Sequence, residues 1–131
     1  MLYTPRAERS RQILLRMCKA LHRYRKLDRL LSYVTRLIQG MMQVGGASVI
    51  LLDAEKEEFY FLVASYEDAE AGRRISTIRF SSDKGVAGEV YRTGKPLIVA
   101  DYPKSPFAHK EVDEQTQYET KNMLDVPLRI N

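Results

Sequence analysis

Three polar residues near the end of the sequence have the spacing of one helix face. Asp113, Thr116 and Thr120 stand at i, i+3 and i+7, so they share one side of a helix if the helical turn persists. A carboxylate that accepts hydrogen bonds and two hydroxyls could together hold the polar edge of a heterocycle. The alternative is that all three are solvated turn residues, and their spacing leaves both interpretations open.

A second candidate is the segment Gly85-Val86-Ala87-Gly88, which has the pattern of a helix start. Unpaired backbone N–H groups and the positive end of a helix dipole suit a phosphate or a carboxylate there. The alternative, which we favour, is that Asp83 caps this helix and that the glycines permit close packing.

Few other residues could do chemistry. We expect Cys18 to be a small packed side chain and not a nucleophile or bilin anchor, and His109, in a loop bounded by prolines, to be solvated and not a haem ligand. We recognise no nucleophile–base pair, no paired catalytic carboxylates and no phosphate-loop lysine. Two histidines, His22 and His109, offer little for a metal site. We therefore expect a binding module that is not an enzyme, with no metal, haem or bilin.

The composition restricts the class of protein further. The 131 residues, 44% hydrophobic and 29% charged, predict one soluble globular domain. A single cysteine excludes an intramolecular disulfide and indicates a reducing compartment, so we expect a cytoplasmic protein. No apolar run is long enough to cross a bilayer and the start lacks a secretory signal, so we expect no membrane insertion.

The N-terminal part is basic and helical in pattern. Residues 1–36 hold ten Lys or Arg and two Asp or Glu residues, a net charge of +8, whereas residues 37–131 carry a net charge of −4. Two apolar series predict a helix near 7–26 and another near 28–43, which are either kinked relative to each other or joined as one. We expect Asp28 to cap the second helix and the pair Gly45-Gly46 to end it.

The first of these helices carries an apolar seam, which consists of Leu14, Met17, Leu21 and Tyr24. We favour pairing of this seam with a partner helix over contact with nucleic acid or an anionic membrane. A charge run alone is weak evidence for nucleic acid, and no aromatic residues are interleaved with the charges as on RNA-stacking surfaces.

After the glycine pair the pattern changes to that of strands. Strands are predicted at 47–53, 59–66, 75–80, 97–100 and 124–130, a short helix at 83–94, a helical turn at 111–119, and loops at 67–74 and 101–110. The first two strands form a hairpin, Gly94 ends the short helix, and Pro127 predicts a bulge or an unpaired edge. This order favours an α+β fold, in which an N-terminal helix precedes an antiparallel sheet with helices packed mainly on one face.

Four stretches of this sequence resemble the signature of GAF domains, which are small-molecule-sensing modules of signalling proteins. They are Ser82–Gly88 (SDKGVAG), Thr93–Asp101 (TGKPLIVAD), Pro106-Phe107 and Tyr118–Leu128 (YETKNMLDVPL). The resemblance runs over about residues 28–130. It implies a GAF/PAS-like, profilin-like domain over 28–131 and leaves 1–27 as a basic signalling or dimerisation helix.

The resemblance also implies a class of ligand for these polar residues. Asp113, Thr116 and Thr120 match the pocket of cyclic-nucleotide-binding GAF domains, and so do Ser48, Val86, Ala87 and Tyr66, the last as a stacking face. His109 and Glu67 stand at further contact positions of that pocket with different residue types. These nine residues form the expected effector site, between the sheet and a covering segment at 101–120.

The family continues after the strand near residue 128 with a further strand and a helix, whereas this sequence stops at Asn131. We therefore expect these last elements to be lacking and the edge of the strand at 47–53 to be uncovered. An uncovered apolar edge invites pairing with another chain. A homodimer through the N-terminal helices or through this edge is the expected assembly.

The function implied by the resemblance is that of a non-enzymatic sensory domain. It would bind a small effector, a cyclic nucleotide being one candidate, and transmit its state through the helices to an output signalling domain. The alternative is a GAF-like dimerisation scaffold with no bound ligand. Some GAF-fold proteins reduce methionine sulfoxide, but that chemistry needs several cysteines in the domain, and here Cys18 lies upstream of it. Nucleic acid is not an expected partner.

Overall fold

Two helices begin the chain. The computed structural model describes residues 5–23 and 26–129. Helix α1 spans Pro5–Arg23 and helix α2 spans Leu27–Met42, and the two pack against each other. The guanidinium of Arg9 donates a hydrogen bond to the carbonyl oxygen of Gly40 at 3.3 Å. The prediction of a helix near 7–26 and another near 28–43 is therefore confirmed.

The ends of α2 differ from those predicted. Lys26 is the N-cap residue and makes no side-chain hydrogen bond to the helix, so the predicted cap by Asp28 is wrong. Asp28 lies in the first turn, where its negative charge is favourable beside the positive end of the helix dipole. The helix ends before the glycine pair because Gln43 adopts the left-handed conformation, with φ of 54°.

The predicted seam of α1 is only partly described. Leu14 is 60% exposed and its neighbour Leu15 is 50% exposed, whereas Leu21 and Tyr24 lie outside the residues whose side chains are described. Cys18 is exposed, so the prediction that it is a packed side chain is wrong. No helix in the described part of the chain is long and apolar enough to cross a membrane.

The central strands form a sheet. Strands β1 (Gly46–Asp53), β2 (Glu58–Tyr66) and β3 (Arg79–Ser81) are hydrogen-bonded in the order β1–β2–β3. A turn of four residues joins β1 to β2, which confirms the predicted hairpin, and β2 pairs antiparallel with β3, with Phe59 opposite Phe80. Because β1 ends this order, none of the described strands pairs with its outer edge.

The loop predicted at 67–74 is wrong, because a helix, α3 (Ala69–Ile75), occupies most of it. The carboxylate of Asp68 caps this helix by accepting hydrogen bonds from the backbone N–H groups of Glu70 (3.0 Å) and Ala71 (3.3 Å). Ile75 ends α3 with a buried side chain instead of starting a strand, so β3 has three residues.

The remaining elements alternate short helices and short strands. They are α4 (Gly85–Thr93), β4 (Leu97–Val99), a 3₁₀ turn (Tyr102–Lys104), α5 (Lys110–Thr116) and β5 (Met123–Asp125). Strands β4 and β5 pair antiparallel, with Ile98 opposite Leu124. Gly94 ends α4 in the left-handed conformation, as predicted. The last strand is shorter than predicted: it stops before Pro127, which cannot donate to a ladder, and Ile130 lies outside the described residues.

By backbone proximity the chain divides into two units, one of Met1–Ile50 with Phe61–Ser76 and one of Leu51–Tyr60 with Thr77–Asn131. In the second unit a cluster of Val86, Val90, Val99 and Tyr102 forms the buried core. The elements confirm an α+β fold with antiparallel strands and an N-terminal helix.

Candidate functional site

Asp113 and Thr120 meet in the second unit, although not on one helix face. Helix α5 ends at Thr116, and Gln117 turns the chain in the left-handed conformation, with φ of 56°. The carboxylate of Asp113 then accepts two hydrogen bonds from Thr120, one from the backbone N–H and one from the hydroxyl, both at 2.8 Å. The turn brings together the two residues whose pairing was predicted from helical spacing.

Thr116, the third residue of the set, faces inward. It is 1% exposed, and its hydroxyl donates a hydrogen bond to the carbonyl oxygen of Val112 at 2.8 Å. The same hydroxyl oxygen accepts a hydrogen bond from the backbone N–H of Tyr118 at 3.3 Å. Thr116 therefore stabilises the turn that presents Asp113.

His109 precedes α5 and is not solvated, contrary to the prediction. Its side chain is 15% exposed, and its ring lies edge-on to Phe80 with centroids 5.5 Å apart. Nε2 lies 3.3 Å from a carboxylate oxygen of Glu111. Nδ1 is buried and has no hydrogen-bond partner among the described residues. Burial arises because Phe80 and Gly85, from distant parts of the sequence, pack against this residue.

The start of α4 lacks the predicted cap. Lys84 is the N-cap residue and makes no side-chain hydrogen bond, while the carboxylate of Asp83 accepts a hydrogen bond from the hydroxyl of Ser81 at 2.6 Å. This bond is the main reason that the pKa of Asp83 is lowered, and the nearby charge of Lys84 acts in the same direction. Asp83 is therefore an acidic neighbour of the helix start, which opposes an anion there.

The two predicted contacts on α4 differ in exposure. Val86 belongs to the buried core of the second unit, and Ala87 is half-buried. The glycine at position 88 permits close packing, as predicted, since a Cβ there would lie 2.8 Å from the carbonyl carbon of Asp83.

The other three predicted site residues belong to the first unit. Ser48 on β1 is half-buried and Glu67, just after β2, is exposed. The ring of Tyr66 lies directly against the Cα of Gly46, where a Cβ would overlap with it. That these residues line one pocket with those of the second unit remains a prediction.

Two grooves of the first unit flank Ala64 and Ser65, and neither groove is predicted from the sequence. One, of about 340 Å³, runs between the end of β2 and α3 and includes Tyr66, Gly72 and Arg73. The other, of about 330 Å³, lies between α2 and β2. Both volumes fall near the lower end of small-molecule sites. The sequence feature that could have indicated these grooves is the pair of small residues, Ala64 and Ser65, which follows the large apolar residues of β2.

Comparison with known proteins relates the sequence to signalling proteins. A family model described as a GAF domain matches residues 26–131. A probable 3',5'-cyclic phosphodiesterase (pde-5) of Caenorhabditis elegans is 29% identical over 110 residues. That match covers 79% of this chain and 15% of the relative, so the chain spans about one seventh of its length.

Solved structures show the same fold at low identity. The GAF domain of a phosphoenolpyruvate-protein phosphotransferase from Coxiella burnetii has a TM-score of 0.80 at 17% identity, over 97% of this chain and 73% of that one. A free methionine-R-sulfoxide reductase from Neisseria meningitidis has a TM-score of 0.73 at 14% identity, over 100% and 71%. Since the family match spans all but the first 25 residues, this chain belongs to the GAF domain family.

Proposed function

We propose that this GAF domain is a non-enzymatic sensor that binds a small effector, with cyclic nucleotides as the first class to test. The observation that carries the proposal is the pairing of Asp113 with Thr120 in one loop of the second unit. The name of the C. elegans relative, a probable 3',5'-cyclic phosphodiesterase, supports the choice of ligand class. The effector would bias an output domain through the N-terminal helices, by binding one helix arrangement more tightly than the other.

The hydrogen bonds of Asp113 restrict the chemistry of the effector. Each carboxylate oxygen already accepts one hydrogen bond from Thr120. An ionised carboxylate has about four acceptor sites, so two remain for a ligand. The effector should therefore present N–H donors to this position, as the edge of a guanine or an adenine does.

A thermal-shift and calorimetric titration tests this function. We expect 3',5'-cyclic GMP or 3',5'-cyclic AMP to raise the melting temperature by mass action, and 5'-GMP to serve as the non-cyclic control. Asp113→Asn should abolish the shift, whereas Asp101→Asn, at an exposed position of the same unit, should keep it. Thr116 is left intact because it is buried. No shift with either cyclic nucleotide would exclude the ligand class, and an unchanged shift in Asp113→Asn would exclude the site.

The proposal includes the absence of catalysis. Likeness to the methionine-R-sulfoxide reductase concerns the fold, and Cys18, the single cysteine, lies on α1. We expect no consumption of free methionine-R-sulfoxide in the presence of dithiothreitol. Turnover, measured by chromatography of the methionine formed, would contradict a purely sensory role.

A second candidate function is a dimerisation scaffold, favoured by the exposure of Leu14 on α1. Arg9 and Arg16 lie on the other side of the helix, and Arg11 is paired with Glu8 at 2.9 Å, so a second copy would meet few unpaired like charges at Leu14. We propose that α1 pairs with α1 of a second copy there. Leu14→Glu should then convert a dimer to a monomer in light scattering, whereas Leu15→Glu, about 100° around the helix, should not. A monomeric wild type would exclude this assembly.

A further inference from the structure

Tyr102 is hydrogen-bonded to both ends of one loop. We define the α5 loop as residues 109–121, which hold α5 and the turn after it. At its start, the backbone N–H of His109 donates a hydrogen bond to the hydroxyl oxygen of Tyr102 at 2.9 Å. At its end, the carbonyl oxygen of Lys121 accepts a hydrogen bond from the backbone N–H of Tyr102 at 2.8 Å. One residue outside the loop therefore fixes the separation of its two ends.

Tyr102 is itself held firmly. It is 5% exposed and packs with Val86, Val90 and Val99 in the core of the second unit. Burial raises the pKa of its hydroxyl above the usual value of 10 and outweighs the hydrogen bond from the backbone N–H of His109, which lowers it, so the phenol is neutral near pH 7. A rigid neutral hydroxyl is suited to fix a neighbouring backbone group.

The α5 loop is also closed on itself. The carboxylate of Asp113 accepts two hydrogen bonds from Thr120, and the hydroxyl oxygen of Thr116 accepts one from the backbone N–H of Tyr118. These bonds join the helix to the turn that follows it. The loop is thus one segment held together by its own hydrogen bonds. Tyr102 is bonded to its start through the side-chain hydroxyl and to its end through the backbone N–H. A substitution can remove the first without touching the second.

We propose that Tyr102 is a positioning residue, whose hydroxyl holds the start of the α5 loop and thereby fixes the loop that carries Asp113. Loss of the hydrogen bond between this hydroxyl and His109 should loosen the start of the loop, where the ring of His109 still packs against Phe80. The role concerns the ligand-free protein; only its consequence for an effector rests on the proposed function. In that case, loosening of the loop moves Asp113 and Thr120 together.

The test is amide hydrogen exchange of the full chain with Tyr102→Phe, which keeps the ring and removes the hydroxyl. Tyr91→Phe is the matched control, because Tyr91 lies in the same unit and is 59% exposed. The amide of His109 loses its own acceptor, so the deciding amides are those of Tyr118 and Thr120, at the far end of the loop. We expect them to exchange about fivefold to tenfold faster, with the amides of α4 unchanged.

Two results would overturn the proposal. Faster exchange at His109 alone would mean that the bond has only a local effect, and faster exchange throughout the second unit would mean that Tyr102 is merely a core residue. Tryptic cleavage after Lys110 and Lys121 gives a second measurement, which should accelerate in Tyr102→Phe and not in Tyr91→Phe.

Measuring the binding kinetics of an effector distinguishes failure of this inference from failure of the proposed function. If 3',5'-cyclic GMP binds the wild type, Tyr102→Phe should increase its dissociation rate more than it changes the association rate. If the exchange result holds and no cyclic nucleotide binds, the proposed ligand class fails while the role of Tyr102 stands.

Discussion

The carboxylate of Asp113 accepts both hydrogen bonds that Thr120 can donate, from its backbone N–H and from its hydroxyl, at 2.8 Å each. Hydrogen bonds to a charged acceptor are stronger than neutral ones. Thr120→Val keeps the shape of the side chain and removes the hydroxyl donor. We therefore expect this variant to lower the free energy of unfolding by about 1 to 2 kcal/mol.

A double-mutant cycle attributes this loss to the pair. Urea unfolding of Thr120→Val, Asp113→Ala and the double variant should give a coupling energy of about 1 kcal/mol. Additive losses would show that the hydroxyl of Thr120 stabilises the chain without Asp113.

The backbone of Gly88 lies close to the residues before α4. A Cβ at this position would lie 2.8 Å from the carbonyl carbon of Asp83 and 3.1 Å from the carbonyl oxygen of Ser82, and backbone atoms cannot move aside easily. Gly88→Ala should therefore destabilise the protein by about 1 to 3 kcal/mol, measured by urea unfolding.

Gly40→Ala is the matched control for this substitution. Gly40 also lies within a helix, and a Cβ there would meet nothing within 4 Å. Alanine is the better helix former, so we expect a gain of up to about 1 kcal/mol. Equal effects of the two substitutions would show that close packing at Gly88 contributes nothing.

Helices are predicted correctly where apolar residues repeat with helical spacing and a helix-ending residue follows. The prediction fails where polar residues obscure that spacing. Gly94 ends α4 in the expected left-handed conformation. Helix α3 is not predicted, because a glycine (Gly72) and two adjacent arginines (Arg73 and Arg74) give this segment the composition of a loop. Asp68, followed by Ala-Glu-Ala, was a usable capping signal.

The candidate site was predicted through a spacing that the structure does not use. Asp113 and Thr120 were paired as one face of a helix, yet α5 ends between them and the left-handed turn at Gln117 brings them together. The position of Tyr102 relative to His109 and Lys121 could not be predicted, since it depends on tertiary packing of separate segments.

The contact between Gly46 and the ring of Tyr66 in the first unit can be tested by substitution. A Cβ at Gly46 would overlap the ring of Tyr66, so Gly46→Ala should displace that ring and destabilise the protein by about 1 to 3 kcal/mol. In a Tyr66→Ala background the ring is absent and the same substitution should cost much less. Equal losses in the two backgrounds, measured by urea unfolding, would contradict a direct contact.

Asp125 on β5 gives a prediction about pH. Burial raises the pKa of its carboxyl above the usual 3.8, so at pH values between the unfolded and the folded pKa the folded state binds more protons than the unfolded state. The contribution of Asp125 to stability is therefore fully present below the ordinary pKa and declines as pH rises through the folded pKa. Asp125→Asn cannot ionise, so its melting temperature should rise relative to that of the wild type as the pH increases from about 4 towards neutrality. Asp101→Asn is the control for loss of an exposed charge; a constant difference between Asp125→Asn and wild type across this range would show that the buried carboxyl does not titrate there.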